Sequence, residues 1–282
     1  MQIVHTPEAL RSACAGWRRE GLTSALVPTM GYYHAGHASL MKYARSAADR
    51  VVVSLFVNPT QFGPNEDLEA YPRDFERDAA LARDLGADLL YAPAPESMYA
   101  PDHAAWVEVP ALAGTLCGVS RPIHFRGVCT VVMKLFMLIL PTLAVFGEKD
   151  WQQLAIIKKM VADLNVPVRV EGRPIVREAD GLALSSRNVY LTPEERAQAP
   201  SLRRSLLMAA ELAAGGERDA AKIAEAVRAF LREHLPRGEE DYISIVDPDT
   251  LAGVERIGQA ALCALAYRVG KARLIDNILL RP

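Results

Sequence analysis

Short apolar runs separated by amphipathic stretches set the pattern of the first 170 residues. Ser24–Val27, Val51–Val57, Leu89–Ala92, Leu143–Phe146 and Val168–Val170 are apolar and largely branched, as strands buried on both faces of a parallel sheet are. Between them, Ala38–Ala48, Asp74–Leu85, Val128–Leu140 and Trp151–Leu164 read as helices. Met1–Val4 reads as a further short strand, followed by a helix from Pro7 to Glu20. Strands alternating with helices predict an α/β fold with a Rossmann-like, doubly wound parallel sheet. Ligands of such sheets bind beyond the carboxyl ends of the strands.

The pattern changes after about residue 175. Thr192-Pro193-Glu194-Glu195 is a capping box with proline at the first helical position, so a helix is expected from there to about Ala214, stopping at Gly215-Gly216. A second helix, Asp219 to Leu235, puts Ile223, Val227, Phe230 and Leu231 on one face. Three strand-like runs follow, Tyr242–Val246, Ala261–Tyr267 and Ala272–Asn277. Residues 1–175 therefore read as one domain and 176–282 as a smaller C-terminal α+β domain, closely packed because no low-complexity linker separates them.

Composition narrows the classes. Half of the 282 residues are apolar, and the formal net charge is −2, so no global basic field points to nucleic acid. Cys14, Cys117, Cys129 and Cys263 are scattered without zinc-like spacing and read as reduced, buried thiols. Leu135 to Gly147, the most apolar segment, is too short and too broken by Pro141 to span a bilayer. A soluble, cytoplasmic protein is expected.

Chemistry concentrates where predicted strands end. His34-Ala35-Gly36-His37 follows the run Ala25–Pro28 and precedes a helix. Two imidazoles three apart, with a glycine that admits close approach and a helix N-terminus behind them, form a compact polyphosphate clamp. Their ring N–H groups would stabilise negative charge building on bound phosphates as the bond to pyrophosphate breaks. The alternative is a pair of surface or capping histidines.

Four further loops join it. Phe56 to Asn65 follows the second strand and carries Asn58 and Gln61, neutral amides that can bind a hydroxy acid without repelling its carboxylate; Asp67, Tyr71 and Arg73 extend it. Phe146 to Gln153 holds Gly147, Lys149 for phosphate, Asp150 for ribose hydroxyls or as a helix cap, and Gln153 facing the same crevice as Gln61. Arg177 to Asn188 lies at the domain boundary and includes Ser185-Ser186-Arg187, suited to bidentate phosphate binding. Ser120 to Gly127, with Arg121 and His124, is either a substrate loop or a helix-start turn.

Taken in order, these pieces resemble the pantothenate synthetases, the pantoate–β-alanine ligase family, along nearly the whole chain. The resemblance rests on Pro28-Thr29-Met30-Gly31 leading into His34–His37, Val57 to Gly63, Tyr71-Pro72-Arg73, Arg121-Pro122 with His124-Phe125, Phe146 to Asp150, Arg177 to Ala183, and Ser185 to Asn188. It implies an ATP-dependent ligase with a C-terminal lid, activating (R)-pantoate as an acyl adenylate with release of pyrophosphate. β-Alanine then attacks to give pantothenate and AMP. It also implies ATP contacts from Met30, Gly31, His34, Gly36, His37, Gly147, Lys149, Asp150, Val176, Leu184, Ser185, Ser186 and Arg187. His34, His37, Lys149 and Arg187 would be catalytic and, with magnesium bridging the phosphates, would supply the positive side of the site. Gln61, Gln153, Asn58 and His124 would bind pantoate, Gln61 would also lie near β-alanine, and a homodimer is expected.

The chain departs from the family's more frequent Gly-Ala-Leu-His-Glu-Gly-His, reading Gly31-Tyr32-Tyr33-His34-Ala35-Gly36-His37. Adjusted packing is expected from Tyr32, Tyr33 and Ala35, not lost chemistry. One rival, an adenylyltransferase of the same superfamily, predicts extra basic residues for a phosphorylated acceptor where this chain has Gln61 and Gln153. A non-catalytic nucleotide-binding protein is the other, and it sits poorly with both histidines, Lys149 and Arg187 present together.

Overall fold

The computed structural model describes residues 1–64 and 66–282; Asn65, at the end of the expected polar loop, lies outside them. Six parallel strands form the main sheet: β1 (Gln2–Val4), β2 (Ser24–Thr29), β3 (Arg50–Leu55), β4 (Leu89–Tyr91), β5 (Leu143–Gly147) and β6 (Arg169–Arg173). Their spatial order is β1-β4-β3-β2-β5-β6. The chain steps outward from β2 through β3 to β4, then crosses back to lay β5 on the other side of β2. That reversal is the topological switch point at which such sheets bind ligands. His34 follows the carboxyl end of β2, and Gly147 ends β5.

Side chains alternate along each strand, so adjacent residues feed opposite cores. Val27, Val53 and Leu90 face the helices α2 (Ala35–Ala47) and α3 (Phe75–Asp84), packing with Tyr33, Met41 and Ala79. Leu26, Val52 and Leu89 face α1 (Pro7–Arg19) and, after the short helices α4 (Pro95–Met98), α5 (Pro110–Ala113) and α6 (Cys117–Ser120), the long α7 (His124–Ile139) and α8 (Trp151–Asp163). Each fully buried side chain of this size contributes about 1.5–3 kcal/mol. β2 continues through Pro28 to Thr29, two residues beyond the expectation. Its pairing with β5 stops at Leu26, so Pro28 falls where only β3 remains as a neighbour.

The C-terminal part comprises α9 (Pro193–Gln198), α10 (Ser201–Ala214), α11 (Ala220–His234) and an antiparallel sheet of β7 (Gly238–Val246), β8 (Ala261–Val269) and β9 (Ala272–Leu280). The Thr192 capping box forms as expected. The single helix expected up to Ala214 is instead two, because Pro200 intervenes and lacks the N–H that a continuing helix needs. One face of this sheet packs on α10 and α11 through Leu265, Leu274, Leu206 and Ile223. The other presents Leu262, Ala264, Ile275 and Leu279 to the core beneath α7 and α8, so the two parts share buried surface. All four cysteines are unpaired and buried. Among the described residues, no helix is long and apolar enough to cross a membrane.

Candidate active site

The two histidines are the cap of α2 itself. The sequence pattern placed the helix start at Ala38, but it begins at Ala35 with His34 as N-cap. His34 Nδ1 accepts the Gly36 N–H at 3.1 Å, and His37 Nδ1 accepts the His34 N–H at 3.3 Å. A capping box is thus built from two imidazoles, satisfying N–H groups that every helix start leaves open. Gly36 lets the His34 ring lie over the first turn; a Cβ at this position would stand 2.8 Å from that ring and push it off its bond to the Gly36 N–H.

This geometry fixes the tautomer. A ring nitrogen that accepts a backbone N–H carries no proton, so each neutral ring holds its proton on Nε2, as a donor free for a ligand. Burial, with Lys149 nearby, lowers the pKa of His34 to about 4. Burial, His34 and Lys149 together lower that of His37 to about 3. Both rings are therefore neutral at pH 7. The sequence-based expectation that the histidines belong to the positive side of the site is corrected: they donate hydrogen bonds, and the charge comes from lysine and arginine.

Tyr32 and Tyr33 shape the turn between β2 and α2. Tyr33 is fully buried, and its hydroxyl accepts from Thr29 Oγ1 at 3.2 Å. Asp78, on α3 and also buried, accepts the backbone N–H groups of both tyrosines, at 2.8 Å for Tyr33. Those two bonds hold Tyr32 at a φ of 51°, a left-handed conformation unusual for a bulky side chain. The Arg77 guanidinium lies 5.1 Å from the Tyr32 ring centroid and donates to the Tyr33 carbonyl. Ala35 is exposed on the first turn of α2.

Across the cleft, a 3₁₀ turn at Pro59–Gln61 follows β3. Asn58 is buried with both ends of its amide engaged: Nδ2 donates to Gln61 Oε1 and the Gly127 carbonyl, while Oδ1 accepts from the Thr60 backbone and hydroxyl. Asn58 therefore orients Gln61 from behind. Among the described residues, Gln61 Nε2 has only the Met30 sulfur at 3.2 Å, a weak acceptor that a ligand oxygen can replace. Gly127 lets α7 abut this turn, since a Cβ there would lie 2.5 Å from the Thr60 carbonyl oxygen. α7 starts at His124, earlier than the apolar run from Val128 indicated, so Gly127 lies in its first turn. His124 Nδ1 meets the Gln61 carbonyl oxygen at 2.9 Å, and burial lowers its pKa to about 4.

Lys149 and Asp150 stand on a second 3₁₀ turn after β5. Asp150 does not cap α8; its carboxylate is exposed, 3.9 Å from Lys149 Nζ. Gln153, one turn into α8, lines the same cleft as Gln61. Its neighbour Gln152 points the other way and binds the Leu112 and Thr115 carbonyls and the Cys117 N–H. The third wall is the segment after β6. Val176 and Leu184 pair across a small hairpin, leading to Ser185 and Ser186. Arg187 forms a bidentate pair with Asp67 at 2.8 and 2.9 Å, and Tyr71 shares a hydrogen bond with Ser186. Arg121 pairs with Glu66 at 2.9 Å.

One cavity of about 240 Å³ gathers every site residue expected from the sequence except Gly31. Gly31 instead lies buried against Asp78 and Leu55 at a φ of +88°, shaping the turn. A second cavity of about 650 Å³ adjoins the first, sharing Arg121, His124, Lys149, Asp150, Gln153, Ser185 and Arg187. Sequence reading missed Asp78, the Asp67 pairing and Asn277, whose amide donates to the Glu148 and Lys149 carbonyls. Asp78 had one sign: a lone aspartate on the alanine-lined inner face of α3. Among the described residues, no group of three or more His, Cys, Asp or Glu side chains is placed to hold a metal ion.

Comparison with known proteins agrees with this arrangement. A family model described as pantoate-beta-alanine ligase matches residues 2–279. The chain is 67% identical over 280 residues, 99% of each protein, to the pantothenate synthetase of Nitratidesulfovibrio vulgaris (strain DSM 19637 / Miyazaki F). Its fold matches the crystal structure of pantothenate synthetase from Thermus thermophilus with a TM-score of 0.94 and 47% identity, covering all of both chains. It also matches the pantoate-beta-alanine ligase of Francisella tularensis, complexed with beta-gamma ATP and beta-alanine, with a TM-score of 0.81 and 32% identity over 99% of this chain and 97% of that one. With its switch-point histidines, paired glutamines and full-length correspondence, this chain belongs to the pantoate–β-alanine ligase family.

Proposed function

We propose that this chain condenses (R)-pantoate with β-alanine at the expense of ATP, through a pantoyl adenylate, releasing pyrophosphate and AMP. One observation carries the reading: two outward Nε2–H donors and Lys149 share a cleft with the free end of Gln61 and with Gln153. That places phosphate-binding groups beside neutral amides suited to a hydroxy acid. Residues 1–175 would carry both substrate pockets, and 176–282 would form the lid.

In the first half-reaction a pantoate carboxylate oxygen attacks the α-phosphorus and pyrophosphate leaves. His34 and His37 donate from Nε2 to the phosphate oxygens, while Lys149 and Arg187 neutralise the charge they gain. Gln61, held by Asn58, and Gln153 fix pantoate in line, with His124 bordering that pocket. Met30, Gly36, Gly147, Asp150, Val176 and Leu184 to Ser186 surround the nucleotide, and Gly31 supports them through the turn. In the second half-reaction the β-alanine amine, placed near Gln61, attacks the acyl carbon, loses a proton and expels AMP. Magnesium would be held chiefly by ATP itself, Asp150 being the only carboxylate among the described residues that line the first cavity. When bound, it supplies charge neutralisation between phosphate groups.

A cytoplasmic homodimer accompanies this reading. For the dimer, the support is a stretch at residues 104–109 that pairs with no strand among the described residues, with Trp106 40% exposed. Met137, 50% exposed, lies beyond Lys134 on α7, whose Thr130 binds the Val107 N–H.

The test measures pyrophosphate and AMP from ATP and magnesium, with (R)-pantoate alone and then with β-alanine. Pyrophosphate limited to a single turnover with pantoate, turning to sustained AMP release with β-alanine, supports both half-reactions. Silence with pantoate but activity with a phosphorylated acceptor moves the chain to the adenylyltransferases.

A further inference from the structure

Asp276 and Asn277 are neighbours on β9, yet they hold opposite walls of the nucleotide cleft. Side chains alternate along the strand. On the Asp276 face, Leu274 and Leu280 join the C-terminal core; on the Asn277 face, Ile275 and Leu279 pack against the main domain. Both polar residues are buried. A buried amide or carboxylate in such surroundings costs stability unless its bonds are satisfied.

The bonds they make reach the site. Asn277 Nδ2 donates to the Glu148 carbonyl at 2.9 Å and to the Lys149 carbonyl at 3.0 Å. The turn bearing Lys149 has no side-chain cap of its own. Asp276 accepts both arms of Arg177, at 2.7 and 2.8 Å, and the Asn277 backbone N–H at 2.8 Å. Arg177 in turn donates to the Gly181 carbonyl and bridges to Ala183, fixing the hairpin that leads into Ser185–Arg187.

We infer that Asn277, backed by Asp276, is a positioning residue for adenylation. It references the Lys149 turn and the Ser185–Arg187 segment to one rigid strand, so that both cations meet the same triphosphate. The inference rests on the ligase reading above. Long charged side chains on separate segments need such support, since a displacement of about 1 Å can cost about 10²-fold in rate.

The experiment compares Asn277→Ala, Asn277→Ser and Asn277→Asp with wild type in single-turnover pyrophosphate release at saturating ATP and pantoate. Asn277→Ala slows this step by about 10- to 100-fold, with the pantoate KM within about twofold of wild type. Asn277→Asp is slower still, because its carboxylate faces two carbonyl oxygens. Asn277→Ser, keeping one donor, recovers part of the rate and carries the comparison if the alanine variant does not fold. Given preformed pantoyl adenylate and β-alanine, the variants form pantothenate at the wild-type rate, a separation that general loosening of the fold would not produce. Wild-type pyrophosphate release in Asn277→Ala, or equal slowing of both half-reactions, overturns the inference. A silent wild type in the same assay refutes the ligase reading instead.

Discussion

His34 and His37 cap one helix between them, each Nδ1 accepting a backbone N–H, at 3.1 and 3.3 Å, with ring centroids 4.2 Å apart. The same bonds that start α2 therefore aim both Nε2–H groups outward.

From this, His37→Ala lowers pantoate-dependent pyrophosphate release by about 10²- to 10³-fold, the usual effect of removing an aimed donor to developing charge. Pantoate binding, measured by calorimetry, changes little because its amides stand on other segments. Turnover near the wild-type value would remove His37 from the phosphate clamp.

Stability should fall on mild acidification. The unfolded chain's histidines take up protons near pH 6.5, whereas burial delays His34 and His124 to about 4 and His37 to about 3. Protons thus bind the unfolded state preferentially in this window. The contribution is complete well above pH 6.5 and drains away as pH falls through 6.5 toward 4 for His34 and His124 and toward 3 for His37. Thermal midpoints between pH 8 and pH 5 check the sign, and His124→Gln flattens the slope.

Asp67 competes for Arg187. Its carboxylate holds the guanidinium that the proposed phosphate contact needs. Asp67→Asn is expected to lower the KM for ATP by about three- to tenfold, since a bidentate ion pair weakens to a hydrogen bond with only one charged partner. A raised KM would mean that Asp67 holds Arg187 in its working position.

Gly127→Ala forces a methyl group to 2.5 Å from the Thr60 carbonyl oxygen and 2.7 Å from Gln61 Cα. Both obstacles are backbone, so relief requires α7 or the Gln61 turn to shift. A loss of about 1–3 kcal/mol in a denaturant titration is expected, together with a raised pantoate KM. An unchanged KM alongside lost stability would separate the turn's packing from substrate binding.

Legibility followed how local the interactions are. The capping box at Thr192 and the inner strands of the parallel sheet are written in short stretches of chain, and the structure bears them out. The strand expected at Val168–Val170 instead runs Arg169–Arg173 at the sheet's edge, where one side has no neighbouring strand and its residues are at most partly buried. Expectations slipped where a distant contact overrode local pattern. α2 begins early because its histidines cap it, and α7 begins early at His124, its first turn packed against the Thr60 turn through Gly127. β9 runs past the expected end at Asn277 to Leu280, and Asp276 and Asn277 within it find partners across the molecule.

The sequence by itself determined the fold class, the chemistry available at each strand end and the family resemblance, because periodicity and motif spacing are properties of neighbours along the chain. Only the tertiary structure decided the tautomers of His34 and His37, the neutral state of their rings, the pairing of Arg187 with Asp67 and the hold of Asn277 on the Lys149 turn. Those depend on burial and on bonds between residues far apart in sequence, and both arise only when the chain has folded.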